Sequence, residues 1–265
     1  LTTENIKPIL SELNPSGYAQ NMNVIVHNNS SGKLDFTVAG ELKNVSTQAS
    51  GGIPGVNNLN GIIAASEKSG RVQFNGPQIS LDFPNIYQTP FYFPYGEGQV
   101  DWYIDEQGLR LVGNGLSLTM EQVEKVKGGF KVWLYNDELY EDKLELNLSL
   151  KNADILAHEV LVPSILSQDL RQWLGQSLLS GTVKNAQYYL YTGLSSDSSS
   201  QSELHLNASQ GALQYLPEWP VVSEISGDLF VQNDHVYAQL KSGNSLGGDL
   251  KQTQIVLYTP TLPAA

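Results

Sequence analysis

Four histidines, His27, His158, His205 and His235, are the side chains best suited to acid–base or metal chemistry in this chain. A metal centre needs several imidazole or carboxylate ligands brought to one point, and a general base needs a nucleophile or a proton within reach. No histidine here has a second histidine or a carboxylate at ligand spacing, and none lies beside a nucleophile motif, so all four read as surface or strand-face residues. Gly115-Leu-Ser117 lacks the second glycine and the strand-to-helix context of a nucleophile elbow. Paired carboxylates at Asp137-Glu138 and Glu141-Asp142 fit no calcium-loop spacing, and a solvated hairpin tip is the simpler reading. Cysteine is absent, which removes thiol catalysis, thiolate ligation and disulfides. The expectation is a protein that is not an enzyme, with no catalytic residue, no metal and no cofactor.

Aromatic residues offer binding chemistry instead. Tyr87, Phe91, Tyr92, Phe93 and Tyr95 crowd the segment NIYQTPFYFPYGEG, and Tyr188, Tyr189 and Tyr191 share one strand; rings in such numbers can stack on a sugar or a lipid. Pro90 and Pro94 pin the first segment, which favours a loop whose aromatics close the end of a sheet. The Ser-rich run from Gly193 to Ser202 reads as an exposed, flexible hairpin loop with no partner implied. A net charge of -12 with scattered Lys and Arg excludes a nucleic-acid partner, because nothing neutralises a row of phosphates. No apolar run approaches the length of a membrane span. The start at Leu1 suggests an internal section of a longer protein, with any membrane anchor outside it.

The elements that would position these residues are mostly strands. In Leu144-Glu-Leu-Asn-Leu-Ser-Leu150 the leucines 144, 146, 148 and 150 face one way and the polar residues the other. The same alternation runs through Leu34, Phe36 and Val38; Ile79 and Leu81; Val100 and Trp102; Leu109 and Leu111; and Val132 and Leu134. It returns at Leu204 and Leu206, at Leu229 and Val231, and along Val236 to Leu240. One apolar and one wet face per strand predicts antiparallel sheet, and Gly/Asn punctuation predicts hairpins. Two stretches carry helical spacing instead. Thr3–Leu13 has Ile6, Ile9, Leu10 and Leu13 on one stripe, with Thr3 as cap. Pro163–Gly181 has Leu170, Trp173, Leu174 and Leu178, with Ser167 as cap and Gly181 as stop.

An internal repeat is visible. Pro54-Gly-Val-Asn-Asn-Leu-Asn-Gly61 and Pro220-Val-Val-Ser-Glu-Ile-Ser-Gly227 agree at the proline, the apolar fifth position and the glycine, 166 residues apart. Each helix runs into a glycine, Gly17 or Gly181, at nearly the same offset. The expected organisation is one domain over 1–265, with copies at about 1–83 and 163–259 around a middle hairpin region at 96–150. Pro54 and Pro220 fix φ and withhold a donor, so the chain is expected to cross and re-enter the sheet at Gly61 and Gly227. Trp219 then packs under that crossover.

Four segments carry a family resemblance: LSELNPSG ending at Gly17, IPGVNNLNG at 53–61, VPSILSQDLRQWLGQSLLSGTVKNAQYYLYTG at 162–193 and LQYLPEWPVVSEISGDL at 213–229. In order and spacing they resemble the landmarks of the YhdP-like members of the AsmA superfamily, in the segment called DUF3971. Tyr-Leu-Pro ahead of the second helix is replaced by Leu161-Val162-Pro163, which leaves the helix intact. The resemblance implies a mainly β fold, with repeated antiparallel hairpins in a curved, trough-like sheet (a β-taco) and two short amphipathic helices. It implies a periplasmic section of a Gram-negative envelope protein anchored in the inner membrane by a segment not present here. Phospholipid, or another acyl-chain lipid, would move along the apolar groove towards the outer membrane, and the remaining sections of the same polypeptide would continue it. Candidate groove residues are then the alternating leucines, isoleucine, valines and aromatics named above from Leu34 to Val231, together with Leu240 but not Val236. The competing reading is a carbohydrate-binding or adhesive β-sandwich, with both apolar faces packed together and the Tyr87 to Tyr95 aromatics at a rim.

Overall fold

The computed structural model of the chain describes residues 11–28, 34–50, 53–164, 166–195, 198–233 and 235–258. Wherever the sequence alternates, the chain is a strand. The thirteen strands are β1 (Ser16–Asn28), β2 (Leu34–Thr47), β3 (Gly55–Ser66), β4 (Ser69–Asp82), β5 (Phe91–Ile104), β6 (Gly108–Thr119), β7 (Val123–Tyr135), β8 (Lys143–Asp154), β9 (Leu178–Gly193), β10 (Ser200–Leu213), β11 (Val222–Gln232), β12 (His235–Ser245) and β13 (Gly248–Tyr258). They hydrogen-bond in sequence order into one antiparallel, unclosed sheet whose edges are β1 and β13. This is a meander of hairpins, each strand paired to the one before it. Among the described residues the strands pair into this one sheet and not into two.

The chain divides into two compact units, one of Leu1–Met120, Lys127–Leu146 and Thr192–Ser199, the other of Glu121–Val126, Asn147–Tyr191 and Ser200–Ala265. Between β8 and β9 the second unit carries a 3-10 turn (Ile155–Ala157), α1 (His158–Leu161) and α2 (Gln168–Ser177). Ser167 caps α2 as expected, its Oγ accepting from Leu170 N at 3.2 Å. The helix stops at Leu178, which is already extended, rather than at Gly181. Gly181 lies inside β9 with φ +148, where a Cβ would meet Gly211 Cα at 3.0 Å, so the glycine serves a close strand approach and not a helix end. Of the first predicted helix only residues 11–13 are described, and they are helical. Thr3, Ile6, Ile9 and Leu10 lie outside the described residues.

The two Pro-to-Gly landmarks carry the same backbone devices. β3 begins at Gly55 and β11 at Val222, so the chain is back in the sheet well before Gly61 and Gly227, and those glycines are mid-strand rather than turn residues. Between proline and glycine, Asn58 (φ 59) and Glu224 (φ 53) take the left-handed conformation. On the preceding strand Asn44 (φ 50) and Gln210 (φ 55) do the same. Each sits at a register shift, between Leu42 and Val45 on β2 and between Ala208 and Gly211 on β10. An inserted residue in a strand reverses the side-chain alternation, and a left-handed residue restores it while sharpening the twist. Gly61 and Gly227 follow these bulges and let the next strand approach: a Cβ would lie 2.9 Å from Phe74 Cα in one case and 3.2 Å from Leu240 Cα in the other.

Little of either unit is sealed from water. Among the described residues the buried apolar side chains are Ile79, Phe93 and Ile104 in the first unit and Val123, Ala153, Ala157, Val183 and Ala186 in the second. A sandwich would bury whole rows of inner-face residues, so most of this sheet has no second layer over it.

Candidate functional site

Register assigns the faces, because directly opposed residues in an antiparallel pair point the same way. In the first unit Val38 lies opposite Val24 and Ala65, and Ile63 opposite Val72. The row continues with Val72 opposite Val100, and with Trp102 opposite both Gly70 and Leu111. Lys131 Nζ meets Glu145 Oε1 at 3.0 Å, which places the odd positions of β7 and β8 on one face. Val132, Leu134, Leu144 and Leu146 therefore project from the other. The result is an apolar face spanning the first unit, most of its residues half-buried.

Large side chains on this face lie down over glycines of the neighbouring strand. A Cβ on Gly70 would fall within 2.5 Å of three carbons of the Trp102 indole, and one on Gly113 within 2.9 Å of three carbons of the Phe130 ring. At Gly98 it would meet Leu116 Cδ2 at 2.6 Å and Phe74 Cζ at 3.0 Å. With no Cβ beneath, each ring rests on backbone, which flattens the wall and covers peptide groups with hydrocarbon.

The second unit repeats the division of faces. Leu204 opposes Val231, Leu206 opposes Leu229, Val231 opposes Val236 and Leu229 opposes Ala238. Ala238 in turn opposes Ile255, and Gly227 opposes Leu240. Sequence alternation thus brings Phe36, Val38, Val100, Trp102, Leu109, Leu111, Val132, Leu134, Leu144 and Leu146 onto the first unit's face, and Leu204, Leu206, Leu229, Val231 and Leu240 onto the second's. Leu148 and Leu150, in the second unit, and Leu81, in the first, are likewise half-buried. Ile79 departs from its expected place in an open wall. It is 2 % exposed and opposite Phe93, whose ring stacks on Phe91 of a cluster with Phe83 and Tyr87 in which Tyr87 and Phe91 are 4.6 Å apart. The side chain of Leu34 lies outside the described residues. Val72, Phe74, Phe130, Val236 and Ile255 belong to these faces and were not among the predicted residues, although Arg71-Val-Gln-Phe74 alternates as plainly as any.

The opposite face is polar and internally paired. Arg71 Nε donates to Asp101 Oδ1 at 2.6 Å, Gln99 Nε2 donates to Asp101 Oδ2 at 2.6 Å, and Gln73 Nε2 donates to Gln99 Oε1 at 2.9 Å. Burial disfavours the ionised Asp101 carboxyl, but the hydrogen bonds from Gln99 and Arg71 and the guanidinium charge outweigh it and hold the group below the usual aspartate range. In the second unit hydrogen bonds from Lys241 and Asn207 lower Asp228 in the same way.

Residues singled out for chemistry are engaged structurally. His205 packs tilted against Phe230, ring centres 4.2 Å apart, and His158 Nδ1 is 2.9 Å from Ile155 O. Among the described residues no cluster of His, Asp and Glu could hold a metal ion. Glu141 is not merely solvated: it accepts from Ser195 Oγ at 2.7 Å and from Ser198 Oγ, tying the Ser-rich loop that the sequence left without a partner. Phe91 to Tyr95 lie in β5 rather than in the expected loop; Tyr87 and Phe91 are 4.6 Å apart, Phe91 stacks on Phe93, and Tyr92 and Tyr95 stay exposed. Trp219 packs on Tyr215 at 5.7 Å yet remains 56 % exposed. No helix among the described residues is long and apolar enough to cross a membrane.

A family model described as YhdP protein matches residues 1–260. No curated protein and no solved structure matches the chain.

Proposed function

Because the chain belongs to the YhdP protein family, which at family level is one of envelope proteins related to lipid transport, we propose that its apolar sheet face shields phospholipid acyl chains. It would do so as one periplasmic section of a conduit between inner and outer membrane, supporting the outer-membrane permeability barrier. One observation carries this reading: each unit has a continuous apolar face that is half-buried rather than sealed by a second layer. Each acyl methylene laid against such a wall contributes roughly 0.8 kcal/mol, which supplies the missing hydrophobic layer without any directional contact. No pKa-shifted nucleophile or bound ion is needed. The polar face, with its Arg71–Asp101 pair and carboxamides, keeps the other side in water.

The test is lipid content and its sensitivity to charge in the wall. Purified protein is extracted and its phospholipid measured by thin-layer chromatography and native mass spectrometry. Leu146→Asp and Leu206→Asp are expected to abolish loading while retaining the β-sheet circular dichroism, because a half-exposed position tolerates a hydrated carboxylate where a packed core does not. Lipid-free wild-type protein, or unfolding of both variants, would sink the proposal.

A further inference from the structure

On the polar face of the second unit two ladders of side chains run side by side across four strands. Asn207 is directly opposite Asp228, Asp228 opposite Gln239, and Gln239 opposite Gln254. Two residues along each strand, His205 is opposite Phe230, Phe230 opposite Tyr237, and Tyr237 opposite Val256. The first row is made of carboxamides and one carboxylate, the second of rings ending in a valine. His205 and Phe230 are 4.2 Å apart, and Phe230 and Tyr237 stack at 5.8 Å with 24° between their planes. With Asn185 and Gln187 of β9 these rows wall a cleft of about 460 Å³, which the alternate positions Leu206, Leu229, Ala238 and Ile255 also line.

Charge and hydrogen bonding narrow what such a cleft accepts. Asp228 is neutralised by Lys241, and it also accepts from Asn207 Nδ2 at 2.6 Å. No lysine or arginine lines the cleft, and a chain of net charge -12 repels an anion. An acyl chain finds a row of amides it cannot satisfy. Among the described residues Asn185, Gln187, Gln239 and Gln254 make no side-chain hydrogen bond, and all four are exposed, so their donors and acceptors are presented to a ligand. What fits a row of aromatic rings beside a row of amides is a polymer with apolar ring faces and hydroxyl edges. Neighbouring strands are spaced by about 4.8 Å, close to the rise per sugar of an extended β-1,4-linked glycan, so a glycan lying across the strands keeps step with both ladders.

We propose that this cleft, formed by Asn207, Asp228, Gln239 and Gln254 beside His205, Phe230 and Tyr237, binds a neutral, extended β-1,4-linked oligosaccharide. The ring faces stack on the aromatic ladder and the hydroxyls bond the amide ladder. The site is on the face opposite the one assigned to lipid, so it stands or falls independently of that reading.

The probes are cellohexaose and chitohexaose, with maltohexaose as a curved α-linked control, titrated into the 265-residue chain and followed by saturation-transfer NMR and calorimetry. Both β-linked probes are expected to bind and maltohexaose to bind at least about fivefold more weakly. Tyr237→Ala removes a stacking ring and is expected to weaken binding about fivefold to tenfold. Gln239→Ala and Gln254→Ala alter exposed side chains without internal bonds, so they keep the fold and are expected to weaken binding severalfold. Val72→Ala, in the other unit and on the apolar face, should leave it unchanged. Absence of binding by both β-linked probes, equal binding of maltohexaose, or binding insensitive to Gln239→Ala and Gln254→Ala would each overturn the assignment.

Discussion

Adding one methyl group at Gly70 tests whether the large side chains of the apolar face rest on glycines by necessity. The Cβ of Gly70→Ala would fall within 2.5 Å of three carbons of the Trp102 indole. Carbon atoms in contact stand about 3.5–4.0 Å apart, so the ring must retreat by about 1 Å or more. Overpacking of this kind costs about 1–3 kcal/mol in a sealed core, and the half-buried indole can swing towards solvent, which argues for the lower half of that range. Replacing glycine restricts the unfolded chain and returns about 0.4–1 kcal/mol. The net expectation is a loss of about 1 kcal/mol, or about 2–4 °C in Tm for a cooperative unit of some 150–250 residues. Gly76→Ala is the control, since its Cβ would meet only Asn60, at 3.7 Å, and it should melt at or slightly above the parent temperature. In a Trp102→Ala background Gly70→Ala should cost nothing, a coupling of about 1 kcal/mol. Thermal melts followed by circular dichroism and tryptophan emission read the parent and all four variants. If Gly70→Ala melts with the parent, or its cost persists without the indole, the glycine is not there for the ring.

Two further outcomes follow from named contacts. Asp101 titrates below the usual aspartate range, so its contribution to stability is present above that range and is lost as pH falls through the folded-state value. Arg71→Gln should therefore cost about 1–3 kcal/mol near neutral pH, with the gap to wild type closing on acidification, and NMR titration should show the Asp101 carboxyl moved upward. A gap that widens in acid contradicts the assignment. Ser167→Ala removes the oxygen that accepts from Leu170 N and should cost about 1 kcal/mol, seen as faster hydrogen exchange in the first turn of α2 with β10 to β12 unchanged; uniform acceleration would show that the cap does not act locally.

Most of the fold was legible because one face is apolar and one is wet, so strands declared themselves by alternation. The strands hardest to read break that rule for identifiable reasons. In β1 the run Val24-Ile25-Val26 is apolar on both faces, and Val24, Ile25 and Val26 are all substantially exposed at the sheet edge. In β3 Ile62 and Ile63 point to opposite faces, which hides Ile63 from a period-2 count. Left-handed positions were half-legible. Asn14, Asn21, Asn44, Asn58, Asn152 and Asn233 adopt positive φ, as asparagine does most readily. Gln78, Gln210 and Glu224 do the same with side chains that give no such warning, because the register shifts around them and not their own preference impose the conformation.

The two candidate sites were unequally visible for the same physical reason. An apolar wall is an additive property: each alternating strand contributes its own stripe, so Leu204 and Leu206 could be assigned before their neighbours were known. A ladder is a property of register. His205, Phe230 and Tyr237 lie on three different strands, and nothing in the sequence says that they stand in one row until the pairing of β10, β11 and β12 fixes it. A shift of one residue at the bulge near Gln210 would carry His205 away from Phe230 and leave the leucine stripe opposite polar residues. The bulges shared by the two landmark regions thus set which side chains become neighbours on both faces at once. Converting Gln210 to glycine should preserve the conformation and both sites, whereas Gln210→Val, strained at φ 55, should disturb both together.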